Sequence, residues 1–257
     1  MSNKLVIVEY KSPEIMVLTL NRPEKRNALN VDLMQAILDT LDLAEDDTQM
    51  RVLMLKGAGK LFCAGLDLDE AADPVRADLS SQNVFQVLKR LKLSRLVTIA
   101  LPHASAIAGG AGLVAACDIA VGTPDLKIAF PEVNRGLLPA LIAPLLVQQV
   151  RSRDLQELFI LGNTVTGTRA VEIGLLNRVV PEDRLDETGL QLAKEALEGS
   201  PETIRVTKKL LNDLYSKHFD EEMLLVHKMH LDARNSTDAA EGIRAFQEKR
   251  KPHWVPA

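Results

Sequence analysis

A turn of small residues, Ala108-Gly109-Gly110-Ala111-Gly112, carries the strongest indication of chemistry in this chain. A nearly continuous apolar run from Leu96 leads into it and an alanine-rich helical pattern follows, so the turn is predicted to begin a buried helix. Backbone N–H groups at a helix N-terminus lack intrahelical partners, and glycine lets a ligand approach them closely. The turn could therefore stabilise an oxygen that gains negative charge. A tight strand-to-helix turn without function explains the same residues equally well.

Glu132 is the candidate acid or base. It lies among apolar residues in segment 129–136, and apolar surroundings would raise its pKa toward the range in which a carboxyl both takes up and releases protons. An exposed glutamate, or one paired with Arg135, is an equal alternative. Farther along, Leu137, Leu138, Leu141, Ile142 and Leu145 could line an apolar pocket, but their helical spacing favours core packing.

Two other segments could meet a ligand. The stretch Phe62 to Asp67 turns on Gly65 and could direct the Leu66 N–H into a pocket, whereas Asp67 is predicted to hydrogen-bond nearby backbone N–H groups. The polar loop 21–27 carries Lys25 and Arg26, a cationic pair that suits phosphate. Taken alone, that pair is better explained as part of a solvated loop.

Strands and helices alternate in the first two thirds of the chain. Strands are predicted at Leu5–Tyr10, Ile15–Leu20, Val52–Leu55, Val97–Ile107, Ile119–Val121 and Lys127–Ala129, with a strand-like run at Leu175–Val180. Helices are predicted at Val31–Ala44, about Ser81–Ser94, after Ala108, at Leu155–Leu161 and at Gly167–Ile173, and the acidic segment Asp69–Leu79 is predicted to be mobile. Residues from Asp186 to Lys249 read as helical. The pattern predicts an α/β core, residues 1–195, followed by a helical region, residues 196–257.

Composition narrows the function classes. With 46% hydrophobic residues, a chain of 257 residues can bury a sizeable core, and its net charge of −4 argues against nucleic acid as a partner. Neither a signal peptide nor a membrane span is predicted. Two cysteines suit the cytoplasm, and the spacing of the five histidines predicts no metal site.

Taken together, these stretches resemble the enoyl-CoA hydratase/isomerase superfamily, the crotonases. The matching segments are Leu20–Leu29, Phe62–Asp67, Gly109–Ala120, Phe130–Val133, Gly162–Pro181 and Glu241–Arg250. They cover nearly the whole chain in the right order. The resemblance implies a spiral of ββα units with a C-terminal helical trimerisation region, and a homotrimer or dimer of trimers. The implied ligand is an acyl-CoA, with no cofactor beyond the coenzyme A of the substrate.

The resemblance also implies roles for individual residues. The backbone N–H groups of Leu66 and Gly109 fall at the oxyanion-hole positions, and Glu132 falls at a catalytic glutamate. Residues implied in CoA binding are Lys25, Arg26, Ala28, Ala64 and, from the tail, Lys249.

Departures from the family pattern bear on the reaction. A second glutamate of the best-known hydratases falls at Gly112, and glycines are expected at Ala104 and Ala108. The segments Gly112–Ala120 and Glu132–Pro144 nevertheless resemble bacterial methylglutaconyl-CoA hydratases. We therefore expect a lyase that adds water to a 2-enoyl-CoA, with a branched acyl group such as that of 3-methylglutaconyl-CoA, in fatty acid or branched-chain amino acid degradation. The alternatives are a 3-enoyl-CoA to 2-enoyl-CoA isomerase, an acyl-CoA decarboxylase and a non-catalytic acyl-CoA binder.

Overall fold

Strands in the computed structural model, which describes residues 4–71, 74–215 and 218–255, form two sheets. Their bounds are β1 Val6–Ser12, β2 Ile15–Leu20, β3 Val52–Gly57, β4 Val97–Ala100, β5 Ser105–Ile107, β6 Ile119–Gly122, β7 Lys127–Ala129, β8 Thr164–Thr166 and β9 Arg178–Val179. The larger sheet has the order β1-β2-β3-β4-β6-β9, and all its neighbours are parallel except β1 and β2. The smaller sheet has the order β5-β7-β8.

Helices cover the larger sheet on both faces. Their bounds are α1 Val31–Asp46, α2 Leu68–Ala71, α3 Pro74–Leu93, α4 Gly109–Ala116, α5 Ala143–Leu146, α6 Ser152–Leu161, α7 Gly167–Glu172, α8 Leu185–Glu198, α9 Pro201–Tyr215, α10 Phe219–Arg234 and α11 Thr237–Gln247. Strands β2, β3 and β4 are apolar and buried on both faces because α1, α3 and α4 share one core with them, while α8 packs on the opposite face. The predicted α/β class is confirmed.

One predicted strand is two. The run Val97–Ile107 leaves the larger sheet after Ala100 and joins the smaller sheet at Ser105. Between them lie Pro102, which cannot donate to a ladder, and Ala104, whose φ of 52° lies in the left-handed region. The corner matters because it brings the end of β5 to the start of α4.

The segment Asp69–Leu79, for which mobility is predicted, is helical in its described residues. Residues 68–71 form α2 and α3 already begins at Pro74, well before the predicted start at Ser81, while residues 72–73 lie outside the described part of the chain. Proline is favoured in a first helical turn, since its missing N–H has no partner there.

The C-terminal part is a set of helices, as predicted, and the predicted division at residue 195 falls inside α8. Within the described ranges, no helix combines the length and the apolar character that crossing a membrane requires.

Candidate active site

A cavity of about 470 Å³ lies where the first loop, the start of α4, the 3₁₀ helix Pro131–Arg135 and the C-terminal helices meet. It is lined by seven of the predicted site residues: Lys25, Arg26, Ala28, Ala64, Leu66, Gly109 and Glu132. The eighth, Lys249, is exposed just beyond α11 and is not among the described residues that line the cavity. The fold thus gathers seven of the predicted residues from four separate segments into one site, without Lys249.

Two backbone amides lie side by side in this cavity. A short parallel bridge joins Leu29 to Leu66, and it uses the Gly65 carbonyl (2.8 Å) and the Asp67 N–H (3.0 Å), which leaves the Leu66 N–H outside the bridge. Gly109 is the first residue of α4, so its N–H has no intrahelical acceptor. A Cβ on Gly109 would lie 3.9 Å from the Leu66 nitrogen. The two amides are therefore close neighbours in the cavity wall.

The turn that presents these amides is strained. Ala108 caps α4 with a φ of 51°, and its N–H donates to the Ala129 carbonyl (2.8 Å), which ties the turn to β7. Gly65 has a φ of 92°, and a Cβ there would lie 2.8 Å from the Ile107 carbonyl oxygen. Glycine is required at position 65, whereas Ala108 holds a conformation that glycine would adopt more easily.

Asn27 holds the first loop in place, a role that the sequence analysis missed. Its side chain is fully buried and donates to the carbonyls of Ala58 (2.8 Å) and Phe62 (3.0 Å), while its Oδ1 accepts from the Arg22 N–H (2.9 Å). Arg26 and Asn27 both have left-handed φ angles, which asparagine tolerates better than most residues. The loop therefore fixes the backbone at Lys25 and Arg26.

Asp67 is structural, as predicted. Its Oδ1 accepts from the Asp69 N–H (3.1 Å), and its Oδ2 lies 2.6 Å from the Arg22 guanidinium. Both side chains are largely buried. Burial raises the pKa of Asp67, but the hydrogen bond and charge of Arg22 outweigh it, so the pKa is lowered and the carboxylate stays ionised.

Glu132 has the surroundings that an acid or base requires. It lies on the 3₁₀ helix at the cavity wall, and its Oε2 atom is buried without a hydrogen-bond partner among the described residues. Burial raises its pKa to about 7, against smaller decreases from a backbone hydrogen bond and from the charge of Arg135. Near neutral pH the carboxyl therefore exists in both forms and can accept a proton and return it.

The position of the absent second glutamate is closed by apolar side chains. A Cβ on Gly112 would lie 3.2 Å from Ile142 Cγ1 and 3.3 Å from Leu88 Cδ2, both of which line the cavity. The same wall is extended by Leu137, Leu138 and Leu141. The prediction that these residues and Ile142 serve only to pack the core is therefore wrong. Leu145 is fully buried and is not among the described lining residues, as core packing predicts. Glu132 and this apolar wall therefore line the same cavity.

Two further polar side chains reach the cavity. Arg135, which sequence analysis could also place at the surface, lines it and stacks its guanidinium 4.6 Å from the centre of the Phe246 ring. His230 of α10 lines it too and is 8% exposed. His230 was missed as a site residue because only the packing of α10 against α3 and α5 brings it there.

Comparison with known proteins agrees with this geometry. The family model described as enoyl-CoA hydratase/isomerase matches residues 11–256. The chain is 32% identical to the mevalonyl-coenzyme A hydratase of Aspergillus fumigatus over 98% of this chain and 95% of that protein. It is 28% identical to the 2,3-dehydroadipyl-CoA hydratase of Escherichia coli, over 96% and 98% respectively. The crystal structure of an enoyl-CoA hydratase from Mycobacterium avium superposes with a TM-score of 0.86 at 32% identity, covering 98% of this chain and 99% of that one.

The chain therefore belongs to the enoyl-CoA hydratase/isomerase family. Its fold is the crotonase fold, and it is an enzyme of the hydratase/isomerase type. The expected family resemblance is confirmed. The acyl groups named for the two relatives differ from each other, so these names do not define one acyl group.

Proposed function

We propose that this enzyme adds water to the double bond of a 2-enoyl-CoA thioester. The observation that carries the proposal is the meeting of one buried carboxyl, with a pKa of about 7, and the two neighbouring backbone amides of Leu66 and Gly109 in a single cavity. The carboxyl can exchange a proton near neutral pH, and the two amides can stabilise an oxygen as its negative charge increases.

The amides of Leu66 and Gly109 would hold the thioester oxygen. When water attacks C3, the electron pair of the C2–C3 bond moves toward the thioester, whose oxygen becomes enolate-like. Removing one such donor elsewhere costs on the order of 3 kcal/mol of barrier. Glu132 would take a proton from the attacking water and deliver it to C2, so that hydroxide ends on C3, a proton ends on C2, and the carboxylate is restored.

The mouth of the cavity suits coenzyme A. Lys25 and Arg26 would meet the phosphates, and the backbone around Ala28 and Ala64 would hold the adenine. The Ala64 N–H donates to the Arg26 carbonyl (3.1 Å), so these two segments of the cavity wall are joined. No cofactor other than the coenzyme A of the substrate is proposed. The trimer or dimer of trimers, and a contribution from Lys249, stay predictions from the family resemblance.

The finer proposal is a branched acyl group. It rests on the resemblance of the segments around Gly112 and Glu132 to methylglutaconyl-CoA hydratases, and on the apolar wall formed by Leu88, Leu141 and Ile142. A wall without a polar group tolerates an extra methyl on C3, which would gain from burial.

Isomerisation of a 3-enoyl-CoA is the second candidate. The packing of Gly112 against Leu88 and Ile142 favours it, because a single base can move a proton from C4 to C2 without a second carboxyl. The same amides would stabilise the dienolate formed on the way.

Mass spectrometry of four thioesters after incubation with the enzyme separates these functions. The panel is crotonyl-, 3-methylcrotonyl-, 3-methylglutaconyl- and 3-hexenoyl-CoA. Gain of one water on any of them supports hydration and identifies the acyl class. A shifted double bond without a mass change supports the isomerase, loss of carbon dioxide a decarboxylase, and binding without reaction a non-catalytic binder.

Two matched variants assign the carboxyl. Glu132→Gln should abolish turnover, whereas Glu198→Gln, at an exposed site on α8, should retain it. Turnover that persists in Glu132→Gln would remove Glu132 from the mechanism.

A further inference from the structure

The cavity wall carries three polar atoms that are buried without hydrogen-bond partners among the described residues: Glu132 Oε2, Arg135 Nε and His230 Nε2. The proposed reaction accounts for Glu132 alone. A buried polar atom without a partner costs about 1–3 kcal/mol, so Arg135 and His230 indicate a group on the ligand that would pair with them.

His230 presents an acceptor to the cavity. Burial lowers its pKa to about 4, with Arg234 and His227 adding to the decrease, so the imidazole is neutral at physiological pH. A smaller increase comes from a hydrogen bond to the Leu138 backbone, which an imidazole N–H makes by donating to the carbonyl. A neutral imidazole carries a lone pair on one ring nitrogen, and Nε2 has no hydrogen-bond partner among the described residues, so Nε2 is available to accept from a ligand.

Arg135 presents a donor. A guanidinium keeps its protons in proteins, and its Nε carries one N–H. One terminal nitrogen, Nη1, already donates to the Pro131 carbonyl (3.2 Å), and the Phe246 ring covers the guanidinium plane. The unpaired Nε–H is therefore held in a fixed place. It follows Glu132 by three residues on a 3₁₀ helix, which puts both side chains on the same face.

We infer that the part of the cavity lined by Arg135 and His230 selects an acyl chain with a hydroxyl group beyond the reacting carbons. This hydroxyl would donate to His230 Nε2 and accept from Arg135 Nε. A hydroxyl is the simplest group that has both a donor and acceptor lone pairs. An ionised carboxylate only accepts, so it would pair with Arg135 and repel the lone pair of His230. An alkyl chain would leave both atoms unpaired. The branched acyl group proposed above is thereby narrowed to a hydroxylated one in preference to the carboxylated 3-methylglutaconyl group.

This hydroxyl site rests on the proposed acyl-CoA function, so the test measures binding without turnover. Isothermal titration calorimetry would compare saturated thioesters, which cannot be hydrated: alkanoyl-, ω-hydroxyalkanoyl- and ω-carboxyalkanoyl-CoA, each at chain lengths of five and six carbons. At one of the two lengths, the hydroxylated chain should bind about tenfold more tightly than the alkyl chain, and more tightly than the carboxylated chain. Failure of all six to bind would contradict the acyl-CoA function itself.

Variants then assign the preference to the two side chains. His230→Leu and Arg135→Met should each bring the ratio of hydroxylated to alkyl affinity close to one. The matched control is His227→Leu, one turn earlier on α10. The His227 ring stacks on Phe85 and is not among the described residues that line the cavity, so this variant should keep the affinity ratio. Equal binding of alkyl and hydroxylated chains to the unmodified enzyme, tightest binding of the carboxylated chain, or an unchanged ratio in His230→Leu would each overturn the inference.

Discussion

Replacing Glu132 by Gln should weaken catalysis and strengthen the fold at the same time. In the folded protein, burial raises the pKa of Glu132 from its ordinary 4.5 to about 7. The folded state therefore favours the neutral form, and the stability that this form provides is fully present below about pH 4.5 and is lost as the pH rises through about 7. That difference corresponds to about 3 kcal/mol, at about 1.4 kcal/mol per pH unit.

Glutamine is neutral at every pH and has the same shape, so the variant escapes this loss. We expect the free energy of unfolding of Glu132→Gln to exceed that of the unmodified enzyme by about 2–3 kcal/mol at pH 8, and by less than about 1 kcal/mol at pH 5. The hydration rate should decrease by about 10²–10⁴-fold, the range for loss of one acid–base group.

Chemical denaturation at both pH values measures the first effect. The protein concentration is kept constant, because oligomerisation, which is predicted from the family resemblance, would also stabilise the fold. Steady-state kinetics measures the second. The exposed Glu198→Gln should change neither quantity. A stability gain that is equal at pH 5 and pH 8, or a loss at pH 8, would refute the assignment of a raised pKa to Glu132, whatever happens to the rate.

Three other substitutions test the scaffold. Ala108→Gly should stabilise the fold by about 1 kcal/mol, because it relieves a φ of 51°, whereas Ala111→Gly inside α4 should destabilise it by a similar amount; opposite signs in thermal denaturation check this. Gly112→Glu should lower the melting temperature and leave the hydration rate no higher, since apolar side chains close that position; a faster, stable variant would contradict the closed wall. Asp67→Asn should lower the free energy of unfolding by about 3 kcal/mol at pH 7, because it leaves Arg22 buried without a counter-charge. The loss should become smaller as the pH falls below 3.8, because the carboxylate of the unmodified protein then takes up a proton on unfolding and its own stabilising contribution decreases. Urea titrations at pH 7 and pH 3 give the comparison.

The sequence predicts the larger sheet well because its strands are apolar runs buried on both faces, as in Ile15–Leu20 and Val52–Gly57. It does not show the corner between β4 and β5. The left-handed residue there is Ala104, and alanine gives no local signal for such a turn, unlike the glycine at position 65. Pro74 is a favourable first helical residue and is a local signal for the early start of α3, whereas the acidic composition around it favours a loop.

Within the site, local patterns identify the groups that lie at turns and helix ends, such as Leu66, Gly109 and Glu132. They do not identify groups whose role depends on long-range packing. His230 has no neighbour in sequence that points to a ligand, and the side chain of Asn27 is defined by carbonyls in a different loop. The helical spacing of residues 137–142 was misleading because most of that stretch is irregular and α5 begins only at Ala143.

The helix α11 is joined to the acid-bearing 3₁₀ helix by two contacts that leave no room for a side chain. A Cβ on Gly242 would lie 2.3 Å from the Arg135 carbonyl, and a Cβ on Gly136 would lie 2.3 Å from the Asp238 carbonyl. The backbone of α11 therefore lies directly against the backbone of Arg135 and Gly136. The segment that carries Glu132 is therefore packed against α11 with no space between the two backbones, so the position of that carboxyl depends on α11.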